Sequence, residues 1–133
     1  MRSPAIGDTI PDLVVQIGRE DLIRYAGAAD DYVRQHWDHP FMVDNGFPDV
    51  AVHGWLTFAH MCRAATESFA PEFWTIERYS VRYLRPTYPG TLTCGGRISA
   101  SDASGVEVEL WAIDEAGEKT TSGKVYLAPP RAS

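Results

Sequence analysis

The sequence predicts an α+β domain in which one long helix packs against a curved antiparallel sheet. Two observations support this prediction. From Gly54 to Phe69 apolar side chains recur every three or four residues, and after residue 74 the apolar period changes to two. Because 133 residues is the usual size of one compact domain, we expect residues 1–133 to share a single core.

The composition narrows the classes of function. The chain is 44% hydrophobic and 11% aromatic, which is enough to bury an ordered core. Its 12 basic and 18 acidic residues give a net charge of −6, so wholesale binding to nucleic acid is not expected. No apolar run approaches the ~20 residues of a membrane span, and Met1–Asp12 has no export signal. These features predict a cytoplasmic protein without membrane contact. Cys62 and Cys94 have no Cys-x-x-Cys spacing and are expected to be reduced thiols.

The first elements are expected to be a strand and a helix. Alternating apolar residues within Thr9–Ile17 predict a strand that begins around Pro11 and is closed by Gly18. Leu22, Ala26 and their neighbours have helical spacing and predict a helix at Arg19–Ala29. Acidic, glycine and proline residues then predict a long irregular segment from Asp30 to Asp49.

The central helix is predicted over Gly54–Phe69 and ends before Ala70-Pro71. Its expected buried stripe consists of Trp55, Phe58, Ala59, Cys62, Ala65 and Phe69.

Four antiparallel strands are predicted to follow as a meander, at about 74–85, 91–103, 106–114 and 118–128. In the third of these strands, Val108 and Leu110 alternate with polar residues and should face the core. Trp111 and Ile113 fall on the opposite face, which we expect to remain partly apolar and to favour a second subunit.

The long segment before the central helix carries an acid and an imidazole five positions apart, Asp31 and His36. Such a pair can converge on one water or one acidic C–H, and loops of this length in small domains are usually functional. Gly54 opens the helix, where unpaired backbone N–H groups can polarise a carbonyl. The sequence therefore predicts acid–base chemistry beside a helix start.

Three segments resemble the MaoC-like hot-dog family, which includes the (R)-specific enoyl-CoA hydratases and dehydratases. Tyr25 to His36 is similar to the signature Tyr-Ala-x-x-Ser-Gly-Asp-x-Asn-Pro-x-His, and Val52-His53-Gly54 to the His-Gly at the start of the family's helix. Residues 80–90, Ser-Val-Arg-Tyr-Leu-Arg-Pro-Thr-Tyr-Pro-Gly, resemble the family's next strand and turn. The resemblance covers about residues 25–128 and implies a hot-dog domain.

Residue by residue, the resemblance implies that Asp31 and His36 are the catalytic pair and that the Gly54 N–H faces the thioester carbonyl. It implies reversible hydration of a trans-2-enoyl-CoA to a (3R)-3-hydroxyacyl-CoA, with coenzyme A as part of the substrate and no separate cofactor. Val33-Arg34 replaces Asn-Pro and Ala29-Asp30 replaces Ser-Gly. Some steroid side-chain hydratase subunits of the family also lack the Asn-Pro, which suggests a bulky or steroid-derived acyl group.

Further residues are candidates for substrate contact: Trp37, Phe41, Val52, His53 and Trp55. His53 could instead order the junction between loop and helix through hydrogen bonds. Arg78, Arg82 and Arg85 could bind the phosphates of coenzyme A, or form a solvated face paired with Glu107 and Glu109.

Alternatives remain open at this point. Asp30 and Asp31 could simply end the first helix in an acidic turn, and the loop histidines could be structural. No metal is expected, because the metal-capable residues lack helix-register spacing: His36, Asp38, His39, His53, His60 and Cys62. Competing functions are an acyl-CoA thioesterase and a non-catalytic partner subunit. Whichever function applies, we expect the protein to form a homodimer, or a heterodimer with another hot-dog chain.

Overall fold

Five strands and three α-helices form residues 4–132, the part of the chain described in the computed structural model. Their bounds are β1 Thr9–Ile17, α1 Arg19–Ala29, α2 His39–Asp44, α3 Gly54–Glu67, β2 Thr75–Tyr83, β3 Gly90–Asp102, β4 Gly105–Ile113 and β5 Lys119–Ala128, with a 3-10 turn at Arg34–His36. The predicted first helix agrees with α1 in both bounds, whereas β1 ends as predicted but begins at Thr9, before the expected start around Pro11. The predicted central helix is confirmed, although it ends two residues earlier than expected.

The segment from Asp30 to Asp49 is more ordered than its composition predicts. It contains the 3-10 turn and α2, so the expectation of an entirely irregular segment was wrong. The Asp38 carboxylate accepts a hydrogen bond from the Phe41 N–H and caps α2. Pro40 lies in the first turn of α2, where a proline costs no backbone hydrogen bond.

The sheet has the strand order β1-β3-β4-β5-β2, and all four pairings are antiparallel. A simple meander of the last four strands was therefore only partly correct. β3, β4 and β5 follow one another, whereas β2 pairs with β5 at the far edge. β1 pairs with the outer side of β3, so β1 and β2 lie at opposite edges of the sheet. The chain passes from one edge to the other by way of α3, which packs across one face of the sheet.

The core lies between α3 and one face of the sheet. In β4 the inward side chains Val106, Val108, Leu110 and Ala112 are all buried, as the alternation predicts. Trp111 and Ile113 on the other face are half-buried. The structure thus has the α+β architecture expected from the sequence, with one long helix held against a five-stranded antiparallel sheet.

The buried side of α3 is rotated from the predicted stripe. Phe58, Ala65 and Phe69 are buried as expected, but Met61 takes the central position and Trp55 and Ala59 are exposed. Trp55 lies on the flank of the helix, edge-on to Tyr79 of β2 at a centroid distance of 6.0 Å. Its exposure follows from the position of β2 at the edge of the sheet.

Both cysteines have free thiols, as predicted. Burial raises the pKa of Cys62 to about 11 and that of Cys94 to about 12, so neither is a thiolate near neutral pH.

Candidate active site

Asp31 is positioned by the end of α1. Asp30 is the C-cap residue in the left-handed conformation, with φ of 54°, and the N–H of Asp31 donates to the Ala26 carbonyl at 3.0 Å. The acidic turn therefore does end the helix, but its two carboxylates differ. Asp31 Oδ1 accepts from the Val33 N–H at 3.4 Å, while Oδ2 faces the ring of His36.

His36 closes the 3-10 turn and is 5% exposed. Its Nδ1 lies 2.7 Å from the Ala51 carbonyl oxygen. A carbonyl can only accept, so Nδ1 carries the hydrogen and Nε2 of the neutral ring carries the lone pair. That Nε2 lies 3.8 Å from Asp31 Oδ2 and 3.4 Å from the amide Nε2 of Gln35. The structure thus brings the two predicted acid–base residues together.

His53 lies beneath this pair. Its ring stacks on that of His36, with centroids 3.7 Å apart and planes at 17°, and Tyr25 packs edge-on against its other side at 4.7 Å. Its Nε2 donates to the backbone carbonyl of Asp31 at 3.3 Å. Burial, and secondarily the His36 ring, lower the pKa of His53, so the ring is neutral at pH 7. These contacts favour the interpretation that His53 orders the junction between loop and helix.

The start of α3 opens onto a cavity of about 710 Å³. Volumes of this size are typical of pockets for small-molecule ligands. His36 and Gly54 both contribute to its wall, so a bound carbonyl could contact the helix start and the imidazole together. Among the predicted substrate contacts Phe41, Val52 and Trp55 also line the cavity.

Asp31, Trp37 and His53 are not among the lining residues of this cavity, and Asp31 is next to it through His36. The indole of Trp37 is half-exposed, and its Nε1 donates to the Tyr32 carbonyl at 2.7 Å. The Trp37 side chain thus holds the loop around Asp31 in place and does not form part of the cavity wall.

The three predicted phosphate-binding arginines are separated. Arg85 lines the cavity and pairs with Glu118 at 3.1 Å. Arg82 instead lines a second depression with Trp111 and Lys124, and Arg78 stacks on the ring of Tyr126 at 4.0 Å.

The alternative pairing of these arginines with Glu107 and Glu109 was wrong. Lys124 lies 3.8 Å from Glu107, and Arg97 lies 2.9 Å from Glu109. Both partners lie on strands next to β4, Arg97 directly opposite Glu109 and Lys124 diagonal to Glu107, whereas β2 is one strand further away.

Arg34, one of the four residues that depart from the family signature, has a structural role. Its guanidinium pairs with Asp38 at 2.8 Å and stacks over the ring of Phe41 at 4.2 Å. Arg34 therefore ties the turn that carries His36 to α2, which forms one side of the cavity.

Asp31, His36 and His53 also offer potential metal-ligand atoms within 4.8 Å of one another. The two imidazoles are stacked, however, so their in-plane lone pairs run nearly parallel and do not converge on one ion. The arrangement suits a hydrogen-bonded pair better than a metal centre.

Several other cavity residues were not predicted from the sequence. Tyr83, Leu84, Thr57, Thr87 and Thr121 all line it. They come from α3, the end of β2, the following turn and β5. Only tertiary packing brings them together, so neither a motif nor local spacing could identify them. Tyr83, Leu84 and Thr87 differ from the others in one respect, since they lie inside the Ser80 to Gly90 segment that resembles the family.

A single long helix held against an antiparallel sheet defines a hot-dog domain, and here an Asp–His pair lies beside the start of that helix. The chain belongs to the MaoC-like family, because the model of the MaoC like domain matches residues 4–109. No curated protein matches the sequence significantly.

Solved structures share the fold at low identity. The ChsH1-ChsH2 complex from Mycobacterium tuberculosis contains a chain with a TM-score of 0.85 and 21% identity, covering 95% of this chain and 98% of that one. The R-hydratase PhaJ1 from Pseudomonas aeruginosa gives 0.83 and 19%, with 96% and 83% covered. The (R)-hydratase from A. caviae involved in PHA biosynthesis gives 0.88 and 16%, with 98% and 100% covered. Among the described residues no helix is long and apolar enough to cross a membrane.

Proposed function

We propose that this protein reversibly hydrates trans-2-enoyl-CoA thioesters to (3R)-3-hydroxyacyl-CoA, with Asp31 and His36 as its acid–base pair. The observation that carries the proposal is the 3.8 Å separation of Asp31 Oδ2 and His36 Nε2, next to a helix start that shares a cavity with His36. Membership of a family named for dehydratases supports the same reaction class. Two of the similar structures are R-hydratases, which agrees with the proposed stereochemistry.

The proposed step uses one water held between the two side chains. Nδ1 of His36 donates to the Ala51 carbonyl, so the Nε2 lone pair is available to take a proton as the water oxygen bonds to C3. The same Nε2–H then returns that proton to C2. The Asp31 carboxylate orients the water and stabilises the transient imidazolium. Because both bonds form from one side of the alkene, the addition is syn.

The thioester oxygen gains negative charge as water adds. In the proposal it accepts a hydrogen bond from the Gly54 N–H in the first turn of α3, where the helix dipole also favours an anion. A preorganised donor of this kind is worth about 3–4 kcal/mol of the barrier. Coenzyme A takes part only as a piece of the substrate, and the cavity near 710 Å³ is compatible with a bulky acyl group.

We further propose that the chain works beside a second hot-dog chain. Within residues 4–132 β2 pairs on one side only, none of its residues is buried, and the exposed Trp55 lies next to it. An unpaired edge with apolar side chains is a ready surface for a partner. Two of the similar structures are complexes, ChsH1-ChsH2 and HadBC from Mycobacterium tuberculosis.

The test is incubation of the purified protein with short, long and steroid-derived trans-2-enoyl-CoAs, with its mass in solution measured in parallel. Loss of the conjugated enoyl absorbance without release of thiol supports hydration. Thiol release indicates the thioesterase instead. Inactivity alone, with activity restored by co-expression with another hot-dog chain, indicates the non-catalytic partner subunit.

A further inference from the structure

Tyr83, the last residue of β2, lies directly on the start of α3. A Cβ atom added to Gly54 would be 2.7 Å from Cζ, 2.8 Å from Cε1 and 3.1 Å from the hydroxyl oxygen of Tyr83. The hydroxyl end of the ring therefore occupies the space that any other side chain at Gly54 would fill. Gly54 has no positive φ, so this close approach explains the glycine better than backbone conformation does.

The phenol is available as a hydrogen-bond donor. Within residues 4–132 no group hydrogen-bonds to the Tyr83 hydroxyl, and the residue is 47% exposed. Tyr83 and Gly54 line the same cavity as His36. A carbonyl oxygen placed at the helix start is thus within reach of both an N–H and an O–H.

We propose that Tyr83 is a further catalytic residue, whose O–H donates a hydrogen bond to the thioester carbonyl oxygen beside the Gly54 N–H. This inference rests on the proposed hydration and adds a second donor to it. The phenol keeps its proton throughout, so it stabilises the developing charge without transferring a proton. Burial, together with the neighbouring Tyr25 and Tyr79, raises the pKa of Tyr83 and so keeps the hydroxyl protonated.

Tyr79 provides a matched control. It lies four residues earlier on the same side of β2, and it too is a half-exposed tyrosine. Its ring packs against Phe58 at 5.4 Å and Trp55 at 6.0 Å, and it does not line the cavity. We therefore expect removal of its hydroxyl to leave the helix start unchanged.

The experiment compares Tyr83→Phe with Tyr79→Phe, each of which loses a single hydroxyl and keeps the ring. With trans-2-enoyl-CoA as substrate we expect Tyr83→Phe to lower kcat about 100-fold while KM changes less than about threefold, as for loss of one oxyanion donor. Tyr79→Phe should keep both constants close to wild type. A Tyr83→Phe protein with wild-type kcat, or one in which only KM rises, overturns the inference while leaving the hydratase function standing.

A second readout does not depend on turnover. Infrared spectroscopy of a bound saturated acyl-CoA with an isotope-labelled thioester carbonyl reports the hydrogen bonds to that oxygen. We expect the downshift of the carbonyl band in wild type and Tyr79→Phe to be reduced in Tyr83→Phe. An identical band in all three proteins contradicts the inference, and this holds even if wild-type protein fails to hydrate enoyl-CoA.

Discussion

β4 and β2 are both nine-residue strands of one sheet, yet their surroundings differ completely. β4 has a neighbour on each side, and five of its residues are buried. β2 is paired only with β5, none of its residues is buried, and it carries the exposed Tyr79 and Tyr83. The candidate active site lies against the exposed strand. The central strands thus supply the buried core, while the edge strand and the loop before α3 carry the residues of the proposed reaction.

Among the variants that test this comparison, those of the Asp31–His36 pair are expected to lose the most activity. Asp31→Asn and His36→Ala should each lower kcat for enoyl-CoA hydration about 10²–10⁴-fold, because each removes a group that handles the water or its proton. The melting temperature should change little for Asp31→Asn, whose carboxylate is 39% exposed. Stopped-flow absorbance of the enoyl group measures the rates. A near-wild-type rate in either variant removes that residue from the mechanism.

A matched pair of valines tests the stability side of the comparison. Val108→Ala in β4 removes two fully buried methyl groups, and Val81→Ala in β2 removes the same groups from a half-buried position. We expect the free energy of unfolding to fall by about 2–3 kcal/mol for the first and by about 1 kcal/mol or less for the second. Urea titration followed by circular dichroism measures both. Equal losses would mean that β2 is packed as tightly as β4.

Gly54→Ala is expected to separate stability from activity. The new methyl would lie 2.7 Å from the Tyr83 ring, which can swing away cheaply because it is half-exposed. Alanine also favours a helix over glycine by up to about 1 kcal/mol. We therefore expect an unchanged or raised melting temperature and a kcat lowered about 10-fold or more. Wild-type kcat in this variant would show that close access to the helix start is not required.

The smallest effect concerns pH. Burial lowers the pKa of His53 and that of His60 below the ordinary 6.5. The neighbouring His36 ring lowers the pKa of His53 further, whereas Asp31 opposes this shift. The unfolded chain then binds more protons than the folded one as the pH falls through about 6.5, so the free energy of unfolding should decrease there. Melting temperatures measured from about pH 8 to about pH 5 test this.

The variant His60→Asn is the control for that measurement. It should flatten part of the pH dependence and leave the share that belongs to His53. A melting temperature that stays constant or rises as the solution is acidified contradicts the assignment of a neutral, buried His53.

Much of the fold was predictable because periodicity reports burial directly. The bounds of α1, the end of β1 and the inward residues of β4 follow from it. The order of the sheet did not follow, because no local pattern states that β2 crosses to the far edge. α2 was missed because Pro40 resembles a breaker, although in the first turn it is compatible with a helix.

The candidate site shows the same division. Asp31 and His36 lie on one short segment, so their spacing and the family resemblance were enough to propose them together. The contact of Tyr83 with Gly54 joins the end of a strand to the start of a helix, and no spacing rule connects them. Arg78 and Arg82 follow a clear alternation, but alternation does not reveal which cavity a strand borders.

The most direct test of the account is the stereochemistry of a single turnover. Wild-type protein is incubated in deuterium oxide with a trans-2-enoyl-CoA, and the product is analysed by chiral chromatography and NMR. We predict (3R)-3-hydroxyacyl-CoA, with deuterium at C2 on the same side as the new hydroxyl, because Asp31 and His36 act on one water from one face of the alkene. Anti addition, the (3S) product, or free coenzyme A without a hydroxyacyl product would contradict the account.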